Sequence, residues 1–424
     1  MMKSVICAAF IAALGLGAAS AQTIAVTNGR VVTNSDAGII ENGTVLVRDG
    51  VIEAAGANVS IPSGVEVIDA NGGWITPGLF HPHTQLGLIE VALESSTSDA
   101  AAPGASFTAA IDVADAYNPA GGYIADSRRH GITRYGVFPS TGRGIIAGRG
   151  ALASSTGAPD ALFATRAFLY VDMSQSGAST AGGSRNAAWA YLRAAFEDAR
   201  FYPGRFMAHH EGDAINRFDA AALVSAVRGE IPIFMQVERA SDIRRAIRFT
   251  RDHPAARFVF VGAAESWMVA EELAEAGIPV IIDPLRNLPA SFDILAARLD
   301  APARLHAAGV QTAYTTISAD LYFNPRLITQ HAGNAVAHGA SWEDAFRSIT
   351  LTPAEIHGVG DRYGALAEGY AGDVVIWDGD PLEVLSAPVA VVIDGASQSM
   401  VSRQSRLAER YAERVPDGQY GYRH

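Results

Sequence analysis

Two chemically versatile residues, cysteine and lysine, are almost missing from this sequence. Cys7 is the only cysteine and Lys3 the only lysine among 424 residues. Both lie within the first 21 residues, so the rest of the chain has neither side chain. That remainder cannot form a disulfide, ligate a metal through a thiolate or form a Schiff base through lysine. Arginine is therefore its only strong cation.

Runs of positive charge are also missing. The formal net charge is −12, and no stretch is rich enough in basic residues to suggest a polyanion-binding segment. Such a chain is a poor candidate for binding nucleic acid or anionic membranes. Hydrophobic residues make up 49% of the sequence, which is enough for a sizeable core and more than one domain.

The first 21 residues have the pattern of a signal peptide. Lys3 supplies a short positive region, residues 5–19 are apolar, and Ala19-Ser20-Ala21 is a small-residue cleavage site. The apolar run is short for a membrane anchor. We therefore expect cleavage before Gln22, a periplasmic or secreted mature protein, and no membrane span after cleavage.

The two ends of the mature chain share one pattern. Residues 22–76 contain short β-rich runs separated by turn dipeptides such as Asn28-Gly29 and Asp49-Gly50. Residues 365–424 return to β-rich runs before a predicted helix and tail. We expect the two segments to pair into one small β-domain.

The middle of the chain, residues 77–364, alternates strand-like apolar runs with amphipathic helical runs. This alternation predicts an α/β fold with a parallel sheet, and its length fits a (β/α)8 TIM-like barrel. A doubly wound open sheet is the alternative. The glycine-rich segment 142–147 has dinucleotide-site spacing, but no helical pattern follows it, so we interpret it as a loop over the barrel mouth.

A histidine cluster follows the first strand of this middle region, in the sequence "WITPGLFHPHTQLG". His81, His83 and Gln85 are two residues apart. In a strand, such side chains project from the same face. The pattern indicates a metal site, the remains of one, or ordinary packing.

The same stretch resembles the amidohydrolase superfamily, as do "TPAEIHG" and "GALAEGYAGDVVIW" near the other end. The segments "GITRYGVFPSTGRGIIAGRGA" and "IPIFMQVERASDIRRAIRF" resemble its exported, imidazolonepropionase-related branch. The resemblance implies a barrel joined to a small β-sandwich built from both termini. It also implies hydrolysis of a C–N bond in a small amide or cyclic amide, at the C-terminal ends of the barrel strands, with metal held by histidines and carboxylates.

The resemblance places the usual ligand positions on this chain. His83 falls on the first expected histidine, Gln85 on the second, and His81 where an aspartate is usual. Gln236 falls on a further histidine, and another falls near Gly262. The expected aspartate falls around residues 316–318, which contain no acid. Three other candidates, His209, His210 and Asp320, do not fall in register with a ligand position.

Several roles remain open for these residues. His81 and His83 are either metal ligands, holding at most one zinc-like ion weakly, or hydrogen-bonded pocket residues. Gln85 and Gln236 could form a neutral hydrogen-bonding floor to the cavity. Glu238, on the strand face of Gln236, is either a substrate anchor or one half of a salt bridge to arginine.

Two functions follow from these readings. The first is a C–N hydrolase with a non-standard or absent metal site, acting on a small-molecule substrate. The second is a catalytically degenerate relative that binds a small ligand or a periplasmic partner. The sequence specifies neither the substrate, nor the oligomeric state, nor the catalytic residues.

Overall fold

The computed structural model describes residues 23–207, 213–319 and 323–412, whose strands form two sheets. The strands are β1 (Ile24–Val32), β2 (Ile39–Arg48), β3 (Val51–Gly56), β4 (Glu66–Asp69), β5 (Trp74–Pro77), β6 (Leu79–Thr84), β7 (Ile132–Val137), β8 (Ile146–Ser154), β9 (Leu162–Asp172), β10 (Ile233–Val237), β11 (Phe258–Gly262), β12 (Val280–Ile282), β13 (Thr312–Tyr314), β14 (Val374–Trp377), β15 (Pro388–Ile393) and β16 (Ala396–Ser397). The α-helices are α1 (Gly122–Arg129), α2 (Gln175–Thr180), α3 (Arg185–Arg200), α4 (Arg217–Val227), α5 (Ala240–Asp252), α6 (Ala270–Ala276), α7 (Ala301–Ala307), α8 (Ile328–Ala337), α9 (Trp342–Arg347), α10 (Leu351–Ile356) and α11 (Arg403–Ala412).

One sheet combines strands from both ends of the chain. Its order is β16-β15-β14-β5-β1-β2-β3, and β4 pairs with the first part of β1. The two ends meet where β5 and β14 run antiparallel, with Ile75 opposite Ile376. Both side chains are fully buried in a core that also contains Ile24 and Val45. Burial of these β-branched residues on one face stabilises the sheet.

The second sheet is a nearly closed eight-stranded barrel, in the order β6 to β13. Neighbouring strands are parallel from β9 to β13 and between β6 and β7, with helices covering them. The predicted α/β fold with a TIM-like barrel is confirmed at this level. Strict strand–helix alternation fails at one place, because β8 runs antiparallel to both β7 and β9.

The segment predicted as a loop, residues 142–147, is outside any strand up to Ile145, but its last two residues belong to β8, which begins at Ile146. Gly148 and Gly150, which follow that segment, lie within the strand. A Cβ atom at Gly150 would lie 2.0 Å from the Phe168 ring, and Gly148 has a φ of +134°. These glycines allow close packing and an unusual backbone angle, so they do not mark a loop here.

A seam lies between the first and last barrel strands. No ladder pairs β13 with β6 among the described residues; the backbone between α9 and α10 fills the gap instead. Ile349 accepts a hydrogen bond from the Phe80 amide at 2.9 Å, and Ser348 accepts one from the Tyr314 amide at 2.9 Å. The seam therefore has its backbone groups satisfied without direct strand pairing.

A buried ion pair joins the barrel to the other sheet. The Arg134 guanidinium on β7 donates to both carboxylate oxygens of Asp373 at 2.7 and 2.8 Å, just before β14. Asp394 lies 2.7 Å from the same guanidinium, and the Tyr363 ring centroid lies 4.5 Å from it. The junction therefore contains a bidentate, largely desolvated pair.

No helix in the described part of the chain is long and apolar enough to cross a membrane. Gly204–Phe206 is a single 3-10 turn. Residues 208–210, including His209 and His210, lie outside the described residues, as does Asp320.

Candidate functional site

Polar side chains gather where barrel strands end. His83 is the next-to-last residue of β6, and Gln236 is the next-to-last residue of β10. Glu238 directly follows β10, Asp283 directly follows β12, and Thr316 lies two residues after β13. Because β6, β10, β12 and β13 run in the same direction, their carboxyl ends lie at one end of the barrel. This is the end at which barrels of this type carry their active sites.

His81 is completely buried, and both of its ring nitrogens have contacts. Nε2 lies 3.1 Å from the Thr316 hydroxyl, and Nδ1 accepts the His83 backbone N–H at 3.4 Å. With Nδ1 as acceptor, the proton resides on Nε2 and is donated to Thr316. Burial, reinforced by His83 and His331 and opposed by Asp283, lowers the pKa of His81 well below its usual value. His81 is therefore a neutral, hydrogen-bonded group.

His83 has different neighbours. Its ring meets Phe138 edge-on at a centroid distance of 4.4 Å and lies 5.6 Å from Tyr170. Burial and the nearby His357 lower the pKa of His83 to about 3, and Nδ1 has no hydrogen-bond partner within the described part of the chain. The imidazole is neutral at physiological pH, so one of its nitrogens carries a lone pair.

His81 and His83 have different side-chain contacts, although a regular strand would direct both side chains to one face. The pairing of β6 with β7 shifts register between His81 and Thr84, across Pro82. Proline lacks the amide that regular pairing requires, so the strand is irregular where the pattern assumed a regular pleat. His81 contacts Thr316, whereas His83 packs against Phe138.

The two glutamines have separate partners. The Gln85 amide donates to the Ser140 hydroxyl. Gln236 accepts a hydrogen bond from the Tyr170 hydroxyl at 2.6 Å and donates to Glu238 at 3.3 Å. The two amides therefore have separate hydrogen-bond partners and do not bond to each other. The predicted shared face of Gln236 and Glu238 agrees with the contact between them.

Glu238 forms the salt bridge that the sequence left open. Arg286 donates to its two oxygens at 2.9 and 3.0 Å, and the Ala264 amide donates at 3.2 Å. Burial raises the pKa of Glu238, while Arg286 opposes the rise. A Cβ atom at Gly262 would lie 2.4 Å from the Glu238 carboxylate. Gly262 therefore leaves the space in which the carboxylate sits.

Sequence reasoning missed a buried pair, Asp283 and His331. His331 Nδ1 lies 2.8 Å from one Asp283 oxygen, and the Ser318 amide donates to the other at 2.6 Å. Burial alone would raise the pKa of Asp283, but the hydrogen bond and charge of His331 lower it below its usual value. An acid directly after a buried strand was a usable signal for Asp283. No pattern pointed to His331, which lies on helix α8.

The metal site implied by the resemblance is not assembled by the residues that the structure describes. Among them, no three histidine, aspartate or glutamate side chains converge closely enough to hold an ion. Both nitrogens of His81 have contacts, and Asp283 is bonded to His331. The potential metal ligands among the described residues therefore do not form a site that fits a metal ion of the usual kind.

Comparisons with known proteins agree on one family. A sequence model of the amidohydrolase family matches residues 74–404. The imidazolonepropionase of Acidiphilium cryptum is 28% identical over 397 residues, covering 82% of this chain and 90% of that protein. The amidohydrolase tasK of Hapsidospora irregularis is 38% identical over 102 residues, which span only 10% of its length and 22% of this chain. The crystal structure of an amidohydrolase from Thermotoga maritima superimposes with a TM-score of 0.79 at 25% identity, covering 88% of this chain and 99% of that one.

Proposed function

Because the chain belongs to the amidohydrolase family, we propose that it hydrolyses a carbon–nitrogen bond, other than a peptide bond, in a small amide or cyclic amide. The observation that carries the proposal is the connected polar group at the end of strands β9 and β10. Tyr170 donates to Gln236, Gln236 donates to Glu238, and Arg286 holds the Glu238 carboxylate. An amide substrate has a carbonyl and an N–H, which match donors and acceptors of this kind.

Glu238 is the group we propose for proton transfer. Its pKa is raised by burial, and general acid–base groups work best when their pKa lies near the working pH. Arg286 orients the carboxylate from the opposite side. Neutral His83, beside Tyr170, offers a lone pair or an N–H to the same substrate.

The catalytically degenerate alternative rests on the substitutions at expected ligand positions. The resemblance places Gln85 and Gln236 at positions where the family has histidines, and amides cannot supply charge to balance a divalent ion. We propose that the chain binds at most one zinc-like ion, weakly, with His83 as its ligand. We also propose that residues 1–21 direct export and that the mature protein works in the periplasm or outside the cell.

Activity against defined amides separates the two functions. Untagged mature protein is incubated with hydantoin, dihydrouracil and N-acylated amino acids, and products are followed by mass spectrometry. We expect turnover of at least one cyclic amide and a loss of about 100-fold in Glu238→Gln, the range of a general acid–base group. Glu41→Gln, at an exposed ion pair, is the matched control. Ligand binding without turnover across the panel would favour the degenerate relative.

Metal content and intact mass test the remaining points. The protein is dialysed against zinc and then against buffer, and metal per chain is measured. One ion retained by the native protein and lost in His83→Ala would support a functional single site; two tightly held ions would refute the proposal.

Protein isolated from its native host should begin at Gln22, and a mature species that retains Lys3 would contradict export by cleavage.

A further inference from the structure

A large cavity lies beside the C-terminal end of β9, outside the barrel interior. Its volume is about 840 Å³, within the range of small-molecule sites. Its walls come from the segment before β8, the end of α2, helix α3 and the start of α4. The wall at Ile145 is tied to the barrel, because its carbonyl accepts the Asp172 amide at 2.8 Å. None of the candidate site residues described above lines this cavity.

Much of the cavity wall is apolar. Ile145 and Ile215 are buried, and Tyr191 and Phe206 are partly buried beside them. Exposed apolar side chains lie at or beside the lining. Met207, which lines the cavity, is 81% exposed, and Phe218, which follows the lining residue Arg217 in the sequence, is 59% exposed. Exposed apolar side chains beside a cavity are a common feature of binding sites.

The carboxylates of the cavity are already engaged. Buried Asp219 accepts the backbone amides of Thr108 and Ala110 at 2.9 and 2.8 Å. Asp213 accepts a hydrogen bond from Arg205 at 2.9 Å. These acids organise the surrounding loops and have partners within the protein.

The arginines of the cavity are not engaged in the same way. Arg143 and Arg217 both line it, and neither has a carboxylate within 4.0 Å among the residues that the structure describes. The lining thus contains two aspartates that accept hydrogen bonds from within the protein and two exposed guanidinium groups without a carboxylate partner among the described residues. The guanidinium groups are therefore the charged groups of the cavity that are available to a ligand.

We propose that this cavity binds a small organic carboxylate with an aromatic or branched aliphatic body. Guanidinium groups match a carboxylate in shape and charge, and the Ile145, Tyr191 and Phe206 wall takes up the apolar body. The site is separate from the Glu238 network. Its existence does not depend on the hydrolase activity proposed for that network.

Titration calorimetry with 4-phenylbutanoate tests the charge requirement. The mature protein should bind this anion, and it should bind the neutral 4-phenylbutanamide at least tenfold more weakly. The double variant Arg143→Gln/Arg217→Gln should raise Kd for the anion at least tenfold, whereas Arg248→Gln, an exposed arginine elsewhere, should leave it unchanged. No binding by the native protein, equal binding of acid and amide, or an unaffected double variant would each overturn the proposal.

A cavity-filling change tests the location independently of charge. A Cβ atom at Gly144 would meet only Thr108, at 3.9 Å, so Gly144→Trp projects a ring into the cavity without a backbone clash. Gly104→Trp is the control, because a Cβ there meets nothing within 4 Å and Gly104 does not line the cavity. Loss of 4-phenylbutanoate binding in the first variant alone supports the site. Unchanged binding in Gly144→Trp, with circular dichroism confirming its fold, overturns it.

Discussion

Two buried arginine–carboxylate pairs occupy different regions of this molecule, and their carboxylates have pKa values shifted in opposite directions. At the junction of the sheets, Arg134 holds Asp373 through two nitrogens, and the Asp394 amide donates to the same carboxylate at 3.0 Å. At the barrel mouth, Arg286 reaches Glu238 through one nitrogen. Burial alone would raise the pKa of Asp373, but Arg134 lowers it; burial raises the pKa of Glu238 despite Arg286.

The difference fits the two roles we propose, a structural pair at the junction and a proton-transferring carboxylate at the barrel mouth. Each carboxylate accepts one backbone amide, from Asp394 at Asp373 and from Ala264 at Glu238, so the backbone donors do not distinguish the pairs. The arginine contact differs: two guanidinium nitrogens hold Asp373 and help to lower its pKa, whereas one nitrogen contacts Glu238, whose pKa burial raises. A carboxylate that can gain and lose a proton is useful in a reaction site, whereas one that holds two sheets together has no need to do so.

Removing the cation at the junction should have the largest effect. Arg134→Met leaves Asp373 buried without its main partner, and breaking a buried pair in this way costs about 3–5 kcal/mol. Urea unfolding measures the free energy of unfolding. Arg30→Gln, at the exposed pair with Glu41, is the control and should cost less than about 1 kcal/mol. Equal losses in the two variants would remove the structural role assigned to Arg134.

Compared with Arg134→Met, removing the cation at the barrel mouth should reduce stability less and reduce activity more. In Arg286→Met, Glu238 can relieve its burial by taking up a proton, so we expect a loss of about 1–3 kcal/mol. Hydrolysis should fall because the carboxylate is no longer oriented. Urea unfolding and product formation are measured on the same samples. A stability loss larger than that of Arg134→Met would reverse the comparison.

The two carboxylates should also respond oppositely to pH. The folded pKa of Asp373 lies below its ordinary value of 3.8, so its stabilising contribution is present above that pH and is lost as pH falls through the folded pKa. The folded pKa of Glu238 lies above 4.5, so its contribution is present below that pH and is lost as pH rises through the folded pKa.

Isosteric amides isolate these contributions. From pH 3 to pH 7, Asp373→Asn should remove part of the acid-induced loss of stability, and Glu238→Gln should remove part of the loss on the alkaline side. The two differences should therefore grow in opposite directions along the pH scale. Unfolding curves followed by tryptophan fluorescence provide the measurement. Parallel pH profiles for the two variants would contradict the opposite shifts.

The smallest expected effect concerns the outer member of the Glu238 network. Tyr170→Phe deletes the hydroxyl that donates to Gln236 at 2.6 Å and leaves the ring in place. One lost hydrogen bond of this kind costs about 1 kcal/mol. If the network contacts substrate, the change in KM, expressed as a free energy, should exceed the change in the free energy of unfolding. The matched control is Tyr314→Phe, which deletes a hydroxyl bonded to His306 at 2.9 Å, away from the network.

Local periodicity predicted the parts of this structure that repeat regularly. It predicted the alternating middle region, and it placed Gln236 and Glu238 on one face of β10, where they are in contact. It failed at β6, where Pro82 lies between the two histidines and the strand pairing loses its register. It failed again at β8, because glycines that fit against Phe168 resemble loop glycines in sequence.

Contacts between distant elements were beyond sequence reasoning. Asp283 and His331 are 48 residues apart, one at a strand end and the other on a helix, and no spacing rule connects them. The partner of Glu238, Arg286, is likewise 48 residues away. The sequence suggested that an arginine could pair with Glu238, but only the three-dimensional fold selects which one.

The seam of the barrel has a consequence for the order in which the chain can fold. Strands β6 and β13 are bridged by residues 348–349, and nearby Pro82 accepts a hydrogen bond from His357, 275 residues further along the chain. Trp377 donates to Thr76 across a separation of 301 residues. Contacts of such long range form late, since the intervening loop must be closed first. The barrel therefore cannot close until most of the polypeptide has been synthesised. A nascent chain shorter than about 350 residues has no closed barrel to stabilise it.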